Sequence, residues 1–136
     1  GEVQLIRLPK EMADEMVKHA REEYPRECCG MLAGKDSSIT ELFKIKNIAQ
    51  RMDEYELDPL EQVNAFEEID RLSLTLLGVY HSHPNHPCYP SGLDISQAFY
   101  PDTLFFIISL KDTTTFQIKA FKMCEGNVEE ETIIFD

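Results

Sequence analysis

Residues 78–94, GVYHSHPNHPCYPSGLD, gather three of the chain's four histidines with Ser91 and Asp94. His81 and His83 stand one residue apart at the end of the apolar run LTLLGVYHSH, which reads as a strand. The period-two geometry of a strand sends both imidazoles to one face. Two imidazoles on one face can share a metal ion. Pro84 ends the strand, seven residues separate His83 from Ser91, and Ser91 stands as the cap of a short helix with Asp94 in its first turn. A carboxylate there can return to the histidine face, so that His81, His83 and Asp94 offer zinc three ligands and leave a fourth position for water. That is the catalytic arrangement, whereas structural zinc takes four protein ligands, usually with thiolates among them. Each fragment alone is ordinary: H-x-H beside a proline is commonly a surface feature, and Ser-x-x-Asp before an apolar run is a helix cap. Their combination at this spacing points to a metal site. Ser82 faces away from the two histidines and reads as a packing or hydrogen-bonding residue, and His86 reads as a histidine on the substrate rim.

A strand ending in such a site needs a sheet beside it and helices to cover it. The alternation of VQLIRL (3–8) predicts a first strand. A helix follows from Pro9 to Tyr24, with Met12, Ala13, Met16, Val17, Ala20 and Tyr24 on its apolar stripe. His19 falls off that stripe, among charged residues, which predicts a solvated side chain. The run ECCGMLAG predicts a buried strand beginning near Glu27, and SITELFKIKNI a third strand. Residues 49–57 have no clear period and read as a partly extended loop. Asp58, Pro59 and Glu61 announce a second helix, with Val63, Phe66, Ile69 and Leu72 expected inward. After the 74–83 strand, PSGLDISQAF reads as a short helix, TLFFIISL as a buried strand, and TTFQIKAFKM and NVEEETIIF as two final strands joined by a turn at CEG. The expected fold is α/β, a single layered domain over residues 1–136 with a mixed central β-sheet flanked by helices.

With 136 residues, 43% of them hydrophobic, the chain can bury one core but not two. A net charge of −12 without any basic run argues against nucleic acid. No apolar stretch approaches the roughly 20 residues of a membrane helix, and the N-terminus lacks a signal-peptide pattern, which together predict a cytoplasmic protein. Cys28 and Cys29 are adjacent on a strand, point to opposite faces and read as buried free thiols. Cys88 lies in the histidine loop, where exposure would open a regulatory or intermolecular role.

The chain resembles the JAMM, or MPN-plus, metalloprotease family, whose pattern is an upstream glutamate, then H-[ST]-H-P, then S-x-x-D. GVYHSHP and PSGLD match the second part, YPRECCGMLAG matches the first, and the ELDP that opens a helix is similar to the compact prokaryotic members. The resemblance runs from about residue 3 to the end. It implies an architecture also similar to cytidine deaminases, zinc as cofactor on His81, His83 and Asp94, Glu27 as general acid/base, and Ser91 as a donor to the oxyanion. Without the resemblance, Glu27 is one carboxylate among 25. The implied activity is an isopeptidase or peptidase cleaving after the C-terminal Gly-Gly of a ubiquitin-like or sulfur-carrier protein. A deubiquitinase acting on ubiquitin chains and a non-catalytic MPN-type scaffold are the alternatives, the complete residue set opposing the latter. A zinc deaminase is rejected, because its P-C-x-x-C signature meets Pro87-Cys88-Tyr89-Pro90 here. Family members that act on ubiquitin chains commonly carry two insertions, so the resemblance, with the 49–57 segment and the region after Asp94 both short, implies a stand-alone enzyme for a sulfur carrier or a related modifier.

Overall fold

The computed structural model describes residues 5–98, 102–111 and 116–136. The described elements run β1 (Leu5–Leu8), α1 (Lys10–Glu23), β2 (Cys29–Lys35), β3 (Ser38–Ile45), α2 (Pro59–Arg71), β4 (Thr75–His83), α3 (Gly92–Ser96), β5 (Leu104–Ser109), β6 (Gln117–Cys124) and β7 (Asn127–Phe135). The expected α/β architecture with a mixed sheet is present. Residues 3 and 4 of the expected first strand, residue 99 of the expected third helix and residues 114 and 115 of the penultimate strand lie outside the described residues.

Neighbouring strands follow the order β1-β3-β2-β4-β5-β6-β7, and the sheet closes on itself as a barrel. Closure comes from β1, which pairs parallel with β7 from Leu5↔Thr132 to Leu8↔Phe135 and meets β3 at Arg7↔Ser38. Strand β4, which carries the histidines, lies between antiparallel β2 and parallel β5. From Gly78 to His83 it is buried on both faces, as a central strand covered on two sides is.

The two faces of the sheet carry different covers. Met16, Val17 and Ala20 of α1 pack with Leu32, Tyr80, Phe106 and Ile108. On the other face, Ala65 and Ile69 of α2 pack with Cys29, Met31, Ala33 and Ile45. Tyr80 and Ser82 therefore belong to the α1 side, and His81 and His83 to the side of α2 and α3. Helix α2 starts as its sequence predicts, with the Asp58 carboxylate accepting from the Glu61 N–H at 3.0 Å and Pro59 in the first turn.

Four side chains depart from expectation. His19 is buried, 7% exposed, with Nδ1 2.8 Å from the Tyr80 hydroxyl, because α1 is pressed so closely on the sheet that the edge of its stripe is covered too. Val63 is 51% exposed, since α2 meets the sheet through the narrower ridge of Ala65 and Ile69. Tyr24 lies beyond the last turn of α1 and is also exposed. Cys88 is buried, its thiol donating to the Ile107 carbonyl at 3.2 Å, so it anchors the loop instead of presenting a reactive group. Burial pushes its pKa up to about 11, which suppresses the thiolate.

Gly30 sits on β2 opposite Tyr80. A Cβ there would lie 2.2 Å from Tyr80 Cε1 and 2.5 Å from the Phe43 carbonyl oxygen. Gly30→Ala is expected to destabilise the fold by about 1–3 kcal/mol in denaturant unfolding, the usual cost of overpacking. A loss below roughly 0.5 kcal/mol would mean that Tyr80 is not confined by this contact.

Candidate active site

Strand periodicity puts His81 and His83 on one face, and Pro84 turns the chain away. The chain returns at α3, where a capping box forms: Ser91 Oγ accepts from the Asp94 N–H at 3.0 Å while Asp94 Oδ2 accepts from the Ser91 N–H at 2.9 Å. This reciprocal pair orients the Asp94 carboxylate. Asp94 Oδ2 then lies 3.2 Å from His81 Nε2 and 3.1 Å from His83 Nε2, and the two imidazole nitrogens are 3.1 Å apart.

The three atoms form a nearly equilateral triangle. With zinc–nitrogen bonds of about 2.0–2.1 Å, the edge of a coordination tetrahedron is about 3.3 Å. His83 Nδ1 donates to the Pro87 carbonyl at 2.9 Å, which orients the ring so that Nε2 faces the triangle. Two nitrogens and a carboxylate oxygen crowded at this spacing without an intervening cation would share too few protons to satisfy every contact. Among the described residues, His81, His83 and Asp94 are the group that could hold a metal ion.

Glu27, just ahead of β2, is 3% exposed, and its Oε1 has no hydrogen-bond partner among the described residues. It lines a cleft of about 600 Å³ with His83, His86, Ser91, Arg51, Asp53 and Glu54, among others. The structure thus brings Glu27, His83 and Ser91 into one cleft, and places His86 on its exposed rim. Ser82 turns away as expected, its Oγ accepting from the Cys28 N–H at 2.7 Å.

Residues 9–123 match the family described as prokaryotic homologs of the JAB domain. The chain belongs to the prokaryotic JAB-domain family. Among the similar proteins is the CysO-cysteine peptidase of Mycobacterium tuberculosis, 28% identical over 98% of this chain and 92% of the relative. A desampylase of Haloferax volcanii is 34% identical over 76% of this chain and 80% of its own. The solution structure of a Desulfitobacterium hafniense protein superposes with a TM-score of 0.88 at 34% identity, covering 96% of this chain and 92% of that one. The JAB domain is the one that the JAMM resemblance of the motifs implied.

The electrostatics of this JAB domain set its carboxylates apart. Burial pushes Glu27 up to about 8; the His83 charge opposes this, and Asp94, Asp53 and Glu54 reinforce it. Burial also disfavours the charge on Asp94, but hydrogen bonds from His81 and His83 outweigh it and hold the carboxyl far below the usual range. Burial lowers the His81 pKa, whereas at His83 the bonds to Asp94 and the Pro87 carbonyl overcome burial and raise the pKa. One carboxyl is therefore suited to binding a cation and the other to moving a proton.

A pH dependence follows for the metal-free JAB domain. Glu27 is raised from its ordinary 4.5 to about 8, so the folded state holds a proton that the unfolded state has released. The stability it contributes is complete below about pH 4.5 and lost as pH rises through about 8. Chelator-treated wild type should therefore lose up to a few kcal/mol relative to Glu27→Gln across that window, measured by denaturant unfolding. Parallel pH profiles for the two proteins would mean that Glu27 titrates as an ordinary surface carboxylate.

Two residues of the site were not singled out by sequence. Tyr55 stacks on His81, with centroids 4.4 Å apart and planes at 18°. Asn47 ties the 48–57 loop down through hydrogen bonds of both its amide atoms. Both lie in or beside the stretch without periodicity, and the only local signal was an aromatic residue inside an otherwise polar loop.

Proposed function

We propose that this JAB domain, over residues 1–136, is a zinc-dependent isopeptidase or peptidase that cleaves directly after the C-terminal Gly-Gly of a ubiquitin-like or sulfur-carrier protein. The observation that carries this reading is the donor triangle of His81, His83 and Asp94 beside a cleft lined by the buried Glu27 carboxyl, whose Oε1 has no hydrogen-bond partner among the described residues. In this reading His81, His83 and Asp94 hold zinc, which when bound lowers the pKa of a water and polarises the scissile carbonyl.

Glu27 is the general acid/base. Its raised pKa suits a group that takes a proton from water and returns it to the leaving amine near neutral pH. Ser91 Oγ already accepts from the Asp94 N–H, which leaves its own hydrogen free to donate to the substrate oxygen as charge develops there. The names of the mycobacterial peptidase and the haloarchaeal desampylase support a protein conjugate as substrate. No described helix is long and apolar enough to cross a membrane, which is compatible with the cytoplasmic setting we propose.

A sulfur-carrier protein fused through its Gly-Gly to a short peptide tests the assignment. An extended tail can be held by backbone hydrogen bonds while the path over the metal admits only glycine. Mass spectrometry should show a cut directly after the second glycine, and replacing that glycine with alanine should slow cleavage about tenfold or more. Lysine-linked ubiquitin chains should be poor substrates at the same enzyme concentration. Efficient chain cleavage with no action on any sulfur-carrier fusion would move the protein to the deubiquitinase branch of the family.

A further inference from the structure

The peptide group joining Glu27 to Cys28 is held at both edges by side chains. Its carbonyl accepts from Asn47 Nδ2 at 2.9 Å, and its N–H donates to Ser82 Oγ at 2.7 Å. Neither contact is an ordinary ladder bond. Strands β2 and β3 stop pairing at Cys29↔Ile45, and continuing that register by two residues sets Asn47 opposite Glu27. The chain has by then turned aside, because the backbone of Asn47 bridges to Leu57 instead. The Asn47 amide takes over where the strand pairing ends.

The same amide organises the loop it leads into. Nδ2 also donates to the Glu54 carbonyl at 3.1 Å, and Oδ1 accepts from the N–H groups of Ala49 and Glu56 at 2.9 and 3.0 Å. All four hydrogen-bonding positions of an asparagine side chain are thereby used. The loop so fixed carries Tyr55, stacked on His81, and Arg51, Asp53 and Glu54, which line the cleft. Arg26, the residue before Glu27, donates to the Ala49 carbonyl and closes the connection from the other side.

We propose that Asn47 is a positioning residue that, with Ser82, orients the Glu27 peptide so that the carboxyl faces the ligand triangle, and that couples this orientation to the loop covering His81. The proposal rests on the reading of Glu27 as general acid/base. Ser82 lies between the two histidines on β4, so its bond to the Cys28 N–H refers Glu27 to the strand that carries the metal ligands. Asn47 refers it to the cleft wall. The Glu27 Oε1 has no hydrogen-bond partner among the described residues to fix it, so the aim of the carboxyl is inherited from this peptide.

The two halves of the amide can be separated chemically. Asn47→Asp keeps an acceptor for Ala49 and Glu56 but loses the donor to Glu27 and Glu54, while Asn47→Ala loses both. On the Gly-Gly fusion, Asn47→Asp should lower kcat about tenfold or more with KM within roughly threefold, and zinc per chain should equal that of wild type. In a Glu27→Gln background the same substitution should lower the residual rate less than about twofold, because a residue acting through Glu27 has nothing left to orient. Ser82→Ala should behave likewise, and Ser82→Thr, which keeps the hydroxyl, should retain activity. Amide exchange at Ala49 and Glu56 should accelerate in Asn47→Ala and change less in Asn47→Asp. Equal losses in both backgrounds, or full activity of Asn47→Asp, would overturn the positioning role while leaving the functional reading intact. A wild type that leaves the fusion uncut would overturn the functional reading itself, and this proposal with it.

Discussion

Glu27→Gln is expected to lower turnover about 100-fold or more with zinc still bound. The scale is that of losing a positioned general base, about 10²–10⁴, and 100-fold corresponds to about 2.7 kcal/mol of transition-state stabilisation. Glutamine has the size and hydrogen-bonding shape of glutamate but cannot take a proton from water or return one to an amine. It also leaves the donor triangle intact, since His81, His83 and Asp94 are held at their spacing by contacts with one another. The burial that raises Glu27 to about 8 makes the substitution easy for the fold, because a neutral amide replaces a group that is costly to ionise there. Turnover on the Gly-Gly fusion and metal content by atomic absorption decide the matter. Near-normal turnover would reduce Glu27 to a buried structural carboxyl, and lost zinc would make it a ligand.

His83→Ala is expected to remove both metal and activity. Losing an outer hydrogen-bond partner of a metal ligand costs about 10–100-fold in affinity, and losing a ligand outright should exceed that. The variant leaves two donor atoms, His81 Nε2 and Asp94 Oδ2, 3.2 Å apart, and strips the Pro87 carbonyl of the imidazole that holds the 84–90 loop. The fold should persist, because His83 belongs to none of the three apolar clusters. Circular dichroism should be unchanged in the metal-free proteins, and zinc should fall well below the roughly one per chain expected of wild type. Equal zinc in both proteins would remove the triangle as the metal site.

Much of the candidate site is written in neighbouring residues. The common face of His81 and His83 follows from the period of a strand, and the return of Asp94 follows from a capping box that Ser91 and Asp94 build between themselves. The start of α2 at Asp58-Pro59 and the burial of Cys28 and Cys29 are likewise local in origin, so the sequence was sufficient to anticipate them. The JAB-domain family could be reached from the same few positions, because their spacing is what the chemistry requires.

Other features depend on which distant segments meet. Closure of the sheet joins Leu5 to Thr132, a pairing that no local pattern encodes because either strand edge offers the same backbone donors and acceptors. The closeness of α1 to the sheet decided that His19 would be buried on Tyr80, and the ridge of Ala65 and Ile69 decided that Val63 would face solvent. Loop 48–57 shows the limit most plainly. Without periodicity, nothing in its sequence says which residue will cover the site. Tyr55 reaches His81 from a loop that Asn47, just beyond the point where β2 and β3 part, ties to the Glu27 peptide.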